Sequence, residues 1–233
     1  MLTLTDIRQE YPDMPAATLH HALNRLVEDG EVERLAQGRY TLHDPRVGGP
    51  AAHEYSVATS LFSEAAIAGW SAMSQWGLTD QVPHVIDVAV PRDLHVRHHS
   101  PALSRLRVFV VSRGEWFDIV MVWVSDGEPV PFFSRERCIY DAFLAPKRYG
   151  GLGAAMDILT AARDDLNEPL IALIQTALKS SSRRTMLRFA RALEEVYGPA
   201  PDIDGLRAVA KGQAAVDWDG SESQPSDDDR AET

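Results

Sequence analysis

Cysteine, lysine and long apolar runs are all scarce in this chain, and each scarcity excludes something. The single cysteine, Cys138, rules out an internal disulfide and any zinc site built from thiolates. A reducing, cytoplasmic setting is the simple expectation. The apolar stretch at 119–124 is far shorter than the roughly 20 residues a membrane helix needs. The opening MLTLTDIRQEY lacks the apolar segment of a secretory leader. The three lysines, Lys147, Lys179 and Lys211, have no Asp or Glu two residues before them, so the lysine-carboxylate pattern of a nuclease is missing. No glycine-rich loop with phosphate-cradling spacing follows a strand, and Gly150-Gly151-Leu152-Gly153 comes nearest. Ser71, Ser74 and Ser134 lack a glycine-flanked elbow. A non-enzymatic chain without a cofactor is expected.

Aromatic residues make up only 8%, yet 45% of the 233 residues are hydrophobic, enough to build buried cores. The length suits two domains. The formal net charge of −11 argues at first against a nucleic-acid partner. Its distribution softens that argument. From Asp217 onward there are seven acids and one arginine, so much of the negative charge sits in the tail. Arginines gather elsewhere: Arg92, Arg97, Arg105, Arg107 and Arg113 share their window with one acid, Asp93. Lys179, Arg183, Arg184, Arg188 and Arg191 share theirs with none.

The stretch 16–43, AATLHHALNRLVEDGEVERLAQGRYTLH, organises the front of the chain. Leu19, Leu23, Leu26 and Val27 recur at helical spacing and form one apolar stripe. Thr18, His21 and Arg25 fall three and four apart on another face, with His20 and Asn24 beside them. Asp29-Gly30 is a helix stop. Runs at 31–35 and 39–42 flank Ala36-Gln37-Gly38 and read as a hairpin. Helix, stop and two-stranded wing are the pattern of a winged helix-turn-helix. A helix starting at Thr3 or Thr5 and the rigid turn Tyr11-Pro12-Asp13-Met14-Pro15 supply the preceding helix and turn. The usual first helix of such a domain reads as trimmed.

Asparagine pairs with adenine and arginine with guanine in two-point contacts, so Thr18, His20, His21, Asn24 and Arg25 are the candidate base readers. Arg34, Gln37 and Arg39 on the hairpin are candidates for phosphate or minor groove. Four acids against three arginines in 16–43 are a poor phosphate attractor. A solvated helix face, or a small module packing on a protein, remains open as an alternative.

Residues 44–50 read as a linker, 51–62 as a helix, 65–68 as a buried strand, and 71–76 as a short helix closed by Gly77. Strands are expected at 85–90, 106–112, 117–124 and 129–133, the last two as a hairpin. Helices are expected at 135–144, 153–165, 169–179, 182–197 and 203–211. The residues GSESQPSDDDRAET at 220–233 have no apolar face and should not fold. The fold class is thus α/β (α+β). A winged helix-turn-helix spans 1–46, a mixed domain ending in a helical bundle spans 51–212, and an acidic tail spans 213–233. His95, His98 and His99 lie in an expected loop with Asp93 as the only near carboxylate; an exposed or nucleic-acid-touching loop is preferred over a metal site. Arg184, Arg188 and Arg191 share one helical face, suited to phosphates or to a partner's acids.

The middle of the chain carries a more specific pattern. Ile67-Ala68-Gly69-Trp70-Ser71-Ala72-Met73-Ser74-Gln75-Trp76-Gly77-Leu78-Thr79-Asp80-Gln81 resembles a signature of AbiE-type antitoxins, the transcriptional regulators of abortive-infection toxin–antitoxin operons. The strand at 85–92, Ser134-Arg135-Glu136-Arg137 with Asp141, Gly150-Gly151-Leu152 and the helix RRTMLRFARALEE follow in the family's order. The resemblance runs from about residue 3 to 198. It implies a winged helix that binds inverted repeats in its own promoter as an autorepressor, with two copies on the DNA. It also implies a later domain that counteracts a nucleotidyltransferase-like toxin without forming a stable complex. A regulator with no toxin partner, and a protein-interaction module that has lost DNA binding, are the alternatives.

Overall fold

The computed structural model describes residues 2–36, 38–46, 48–93, 105–124 and 129–212. The described residues form a mixed α/β fold with two sheets, and helices close its C-terminal part. The expected loop histidines His95, His98 and His99, wing residue Gln37 and the acidic tail fall outside the described residues.

A two-residue strand β1 (Leu2–Thr3) leads into α1 (Leu4–Glu10). Thr3 caps that helix reciprocally: its hydroxyl accepts from the Asp6 N–H at 3.1 Å, and the Asp6 carboxylate accepts from the Thr3 N–H at 2.8 Å. These bonds hold the Asp6 carboxyl below its ordinary value. Helix α2 (Ala16–Glu28) buries Leu19 and Leu23 and ends on Gly30 at φ +73, a conformation that favours glycine. Strands β2 (Val32–Ala36) and β3 (Arg39–Asp44) then pair antiparallel. The expected linker at 44–50 is not a free connection. Gly49–Pro50 forms β4 on β3, and the Ala51 N–H donates to the Leu42 carbonyl at 2.8 Å. The four-strand order is β1-β3-β2, with β4 also on β3. Leu19, Leu23, Val32 and Tyr40 are the buried cluster beneath it, flanked by Leu4, Ile7, Met14, Leu26 and Val27.

After α3 (Glu54–Ser60), shorter than the expected 51–62, come β5 (Ala66–Ile67) and α4 (Gly69–Gln75). Strands β6 (Ile86–Pro91), β7 (Leu106–Val111), β8 (Ile119–Trp123) and β9 (Pro129–Phe133) complete a mixed sheet in the order β7-β6-β5-β9-β8. The pairs β6–β7 and β5–β9 are parallel, while β5–β6 and the expected hairpin β8–β9 are antiparallel.

Helix α5 (Arg135–Leu144) starts on a Ser134 cap and is buried from Arg137 to Phe143. It is the axis of the second core. Around it lie α6 (Leu152–Leu166), α7 (Leu170–Leu178) and α8 (Arg183–Tyr197), with α9 (Pro201–Lys211) packed on α7 and α8. Phe189 of α8 meets Tyr140 edge-on at 5.3 Å and Phe143 at 5.1 Å. Fully burying such a ring is worth about 1.5–3 kcal/mol. No helix among the described residues is long and apolar enough to cross a membrane.

Candidate nucleic-acid interface and the buried ion-pair network

On α2 the leucines turn inward, and Thr18, His20, His21, Asn24 and Arg25 are all exposed. Sequence spacing therefore brings the five candidate base readers onto one outward surface. Only Arg25 among them carries a fixed positive charge, and its Nε lies 3.8 Å from the Asp29 carboxylate. On the hairpin Arg34 is exposed. Arg39 is not the free wing cation the sequence suggests: half-buried, it donates through Nη2 to the Phe62 carbonyl at 3.4 Å.

The arginine stripe of α8 is likewise divided. Arg184 and Arg191 are exposed, but Arg188 is half-buried and donates to the Phe143 carbonyl at 2.6 Å. That carbonyl lies in the last turn of α5, where the helix supplies no partner of its own. Arg188 is thus tied to the end of α5. Upstream, Lys179 is paired with Asp118.

Three of the stretches that carry the resemblance, at 67–81, 85–92 and 134–141, meet inside the molecule. Asp87 on β6 is fully buried. Arg107, its register partner on parallel β7, grips both its oxygens: Nε donates to Oδ1 and Nη2 to Oδ2, each at 2.7 Å. This bidentate pair is the strong form of a charged hydrogen bond, and it holds the guanidinium above its ordinary pKa. The Trp70 N–H adds a third bond to Asp87 Oδ2 at 2.8 Å, and the Asp87 N–H donates to Ser71 Oγ at 2.9 Å. Gly69, at φ +56, has to be glycine, because a Cβ there would stand 2.3 Å from Asp87 Oδ2. The Gly-Trp-Ser triplet is therefore a cradle for one carboxylate.

From Trp70 the network continues into α5. The indole Nε1 donates to the Arg148 carbonyl at 3.3 Å, and the ring meets Tyr149 at 5.5 Å. The buried Tyr149 hydroxyl donates to Asp141 Oδ2 at 2.6 Å. Burial first, then the Asp141 charge, pushes this phenol well above its ordinary pKa. Asp141 Oδ1 lies 3.4 Å from Nη2 of Arg137, a fully buried guanidinium set against the rings of Phe117 and Phe133 at 4.2 and 5.0 Å. Arg137 Nη1 lies 3.6 Å from Glu115, whose carboxylate accepts from the Ser180 and Ser181 hydroxyls and the Ser181 N–H.

Each acid in this chain of contacts is already bonded to protein, so the arrangement fixes the packing of sheet, helix α5 and the turn at 146–149. The sequence reading did not single out Arg148, Tyr149 or Glu115, and it named Arg107 only as one of a basic cluster. One signal was present: Asp87 stands alone in the apolar strand Ile86–Pro91, and a carboxylate there needs a partner. A separate groove of 420 Å³ lies between α3 and strands β8 and β9, with Ser56, Thr59 and Ser60 facing Trp116 and Ile119. Its one ionisable lining residue, Glu64, is paired with Arg113 at 2.9 Å.

No family model matches the chain, and no curated protein does. Among solved structures it is similar to the crystal structure of the RV2827C protein from Mycobacterium tuberculosis. The TM-score is 0.58 at 16% identity, covering 89% of this chain and 75% of that one, a likeness of fold.

Proposed function

We propose that the chain is a winged-helix DNA-binding regulator of the AbiE antitoxin type: a cytoplasmic, non-catalytic autorepressor. Helix α2 reads the major groove, and β2–β3 is its wing. The observation that supports this reading is the division of α2: Leu19 and Leu23 are buried, and Thr18, His20, His21, Asn24 and Arg25 all face out beside the hairpin. Two copies bind an inverted repeat, because one domain with a single exposed guanidinium on its reading helix binds weakly. The part from α3 onward counteracts a cognate nucleotidyltransferase-like toxin without a stable complex. That role rests on the resemblance in 67–81, 85–92, Ser134-Arg135-Glu136-Arg137 with Asp141, Gly150-Gly151-Leu152 and the helix at 183–195.

A second reading has its own support. Arg39 is tied to Phe62 and Arg25 leans on Asp29, which leaves few free cations for phosphate and favours a protein-binding surface. Fluorescence anisotropy of the full chain on its upstream DNA and on a scrambled duplex, across a salt series, separates the two. For a DNA reader, Asn24→Ala and Arg25→Ala each cost about 1–3 kcal/mol and mainly erode discrimination between the duplexes. Equal affinity for both duplexes, unchanged in Arg25→Ala, leaves the protein-binding reading standing.

A further inference from the structure

Two of the arginines around the buried network face outward as well as inward. Arg107 spends Nε and Nη2 on Asp87, yet its side chain is 45% exposed and its Nη1 is uncommitted among the described residues. Arg148 is 35% exposed, and its closest acid, Asp141, stands 4.0 Å away, beyond hydrogen-bonding reach. Among the described residues its guanidinium donates no hydrogen bond. Both heads lie over the same ring: the guanidinium carbons are 5.3 Å (Arg107) and 4.3 Å (Arg148) from the Phe109 centroid. Lys147, next in the chain, is exposed too.

The carboxylates behind these cations are consumed. Asp87 is saturated by Arg107 and the Trp70 N–H, and Asp141 by Tyr149 and Arg137. Neither accepts a hydrogen bond from Arg148, and Asp141 faces it only at 4.0 Å. A guanidinium held beside an aromatic ring with N–H groups unbonded can donate them to two oxygens of a phosphate. We propose that Arg107 and Arg148, seated on Phe109, bind the phosphate group of a small phosphorylated ligand such as a free nucleotide or pyrophosphate. The site uses none of the residues of the α2 face.

The test titrates the full chain with pyrophosphate, with ATP and with a short DNA duplex, following melting temperature and calorimetric heat at matched ionic strength. Pyrophosphate and ATP are expected to raise the melting temperature and to bind. The Arg148→Met variant keeps the Arg107–Asp87 pair and the packing on Phe109. It should retain the unliganded melting temperature and lose about tenfold or more in affinity. Arg148→Lys, a point charge in place of the fork, should fall between them and covers the case in which Arg148→Met is unstable. The proposal is overturned if neither small phosphate binds at millimolar concentration. It is equally overturned if Arg148→Met and Arg148→Lys bind as the native chain does. Binding of the duplex alone, lost in Arg148→Met, would assign the pair to a nucleic-acid backbone and overturn the small-ligand proposal. These readouts do not involve Asn24 or Arg25, so failure here leaves the proposed reading of α2 untouched.

Discussion

The two parts of the molecule handle their polar residues in opposite ways. Up to β4, the ion pairs lie at or near the surface: Arg25 with Asp29, Arg46 with Asp44, and His43 with Glu33. The interior there is Leu19, Leu23, Val32 and Tyr40 with a few flanking side chains. From α3 onward the core is far larger, and it takes charge inside: Asp87, Glu115, Arg137 and Asp141 are all buried. A small core supplies little stability beyond what its ordering costs. The first part can therefore spend its surface on recognition but has little stability to spare. The second has stability to spare, and ties its sheet to its helices through charges that must stay paired.

The largest expected effect comes from breaking that pairing. Arg137→Ala leaves Glu115 with serine bonds and no cation, and Asp141 with Tyr149 and only Arg148 at 4.0 Å, and removing one partner of a buried ion pair typically costs about 3–5 kcal/mol. Urea unfolding followed by the intrinsic fluorescence of the tryptophans, all five of which lie beyond β4, reads this directly. A loss under about 1 kcal/mol would show that water already compensates the buried carboxylates, and would weaken the contrast between the two parts.

The smaller core gives the next effect. Leu23→Ala on α2 should cost about 2 kcal/mol, at the low end for buried leucine because a thin core collapses around the gap. The informative readout is its place. Hydrogen exchange should accelerate in α1, α2 and β2–β3 while α5 and α8 keep their protection. If exchange rises equally in α5, the two cores unfold as one unit and the contrast does not extend to stability.

The parts also differ in how far they can be read from sequence. Helices α5 to α9 were legible almost to the residue, because each carries a 3.6-residue apolar period, and the Ser134 cap marks one start. The outward face of α2 was legible for the same reason. The run at 44–50 was misread because its order comes from pairing back on β3, which its glycine and proline content does not encode. The buried network was illegible as a site. Trp70, Asp87, Arg107, Asp141 and Tyr149 meet only through the parallel register of β6 and β7 and the turn at 146–149. Arg188 and Arg39 looked like free cations because sequence spacing shows which face a side chain is on, not which carbonyl ends up within its reach.

The smallest effect tests the second part's network at its phenol. Tyr149→Phe removes the 2.6 Å bond to Asp141 without changing the ring against Trp70, a loss of about 1–2 kcal/mol at neutral pH. The pH profile carries the sharper information. Tyr149 is held well above an ordinary phenol by burial and by Asp141, and burial pushes Tyr140 up to about 12. A group whose folded-state pKa is raised contributes stability that is fully present below its unfolded value, about 10, and lost as pH rises toward the folded value. The native chain should therefore lose stability steadily above about pH 10. Tyr149→Phe starts lower but should fall less steeply, because one of the phenols that resist ionisation (Tyr55, Tyr140, Tyr149 and Tyr197) has been removed. Guanidinium-free melting at stepped pH from neutral to alkaline measures both slopes. Parallel slopes would mean that Tyr149 ionises in the folded state without penalty, and that its hydroxyl is not sealed in the core with Asp141.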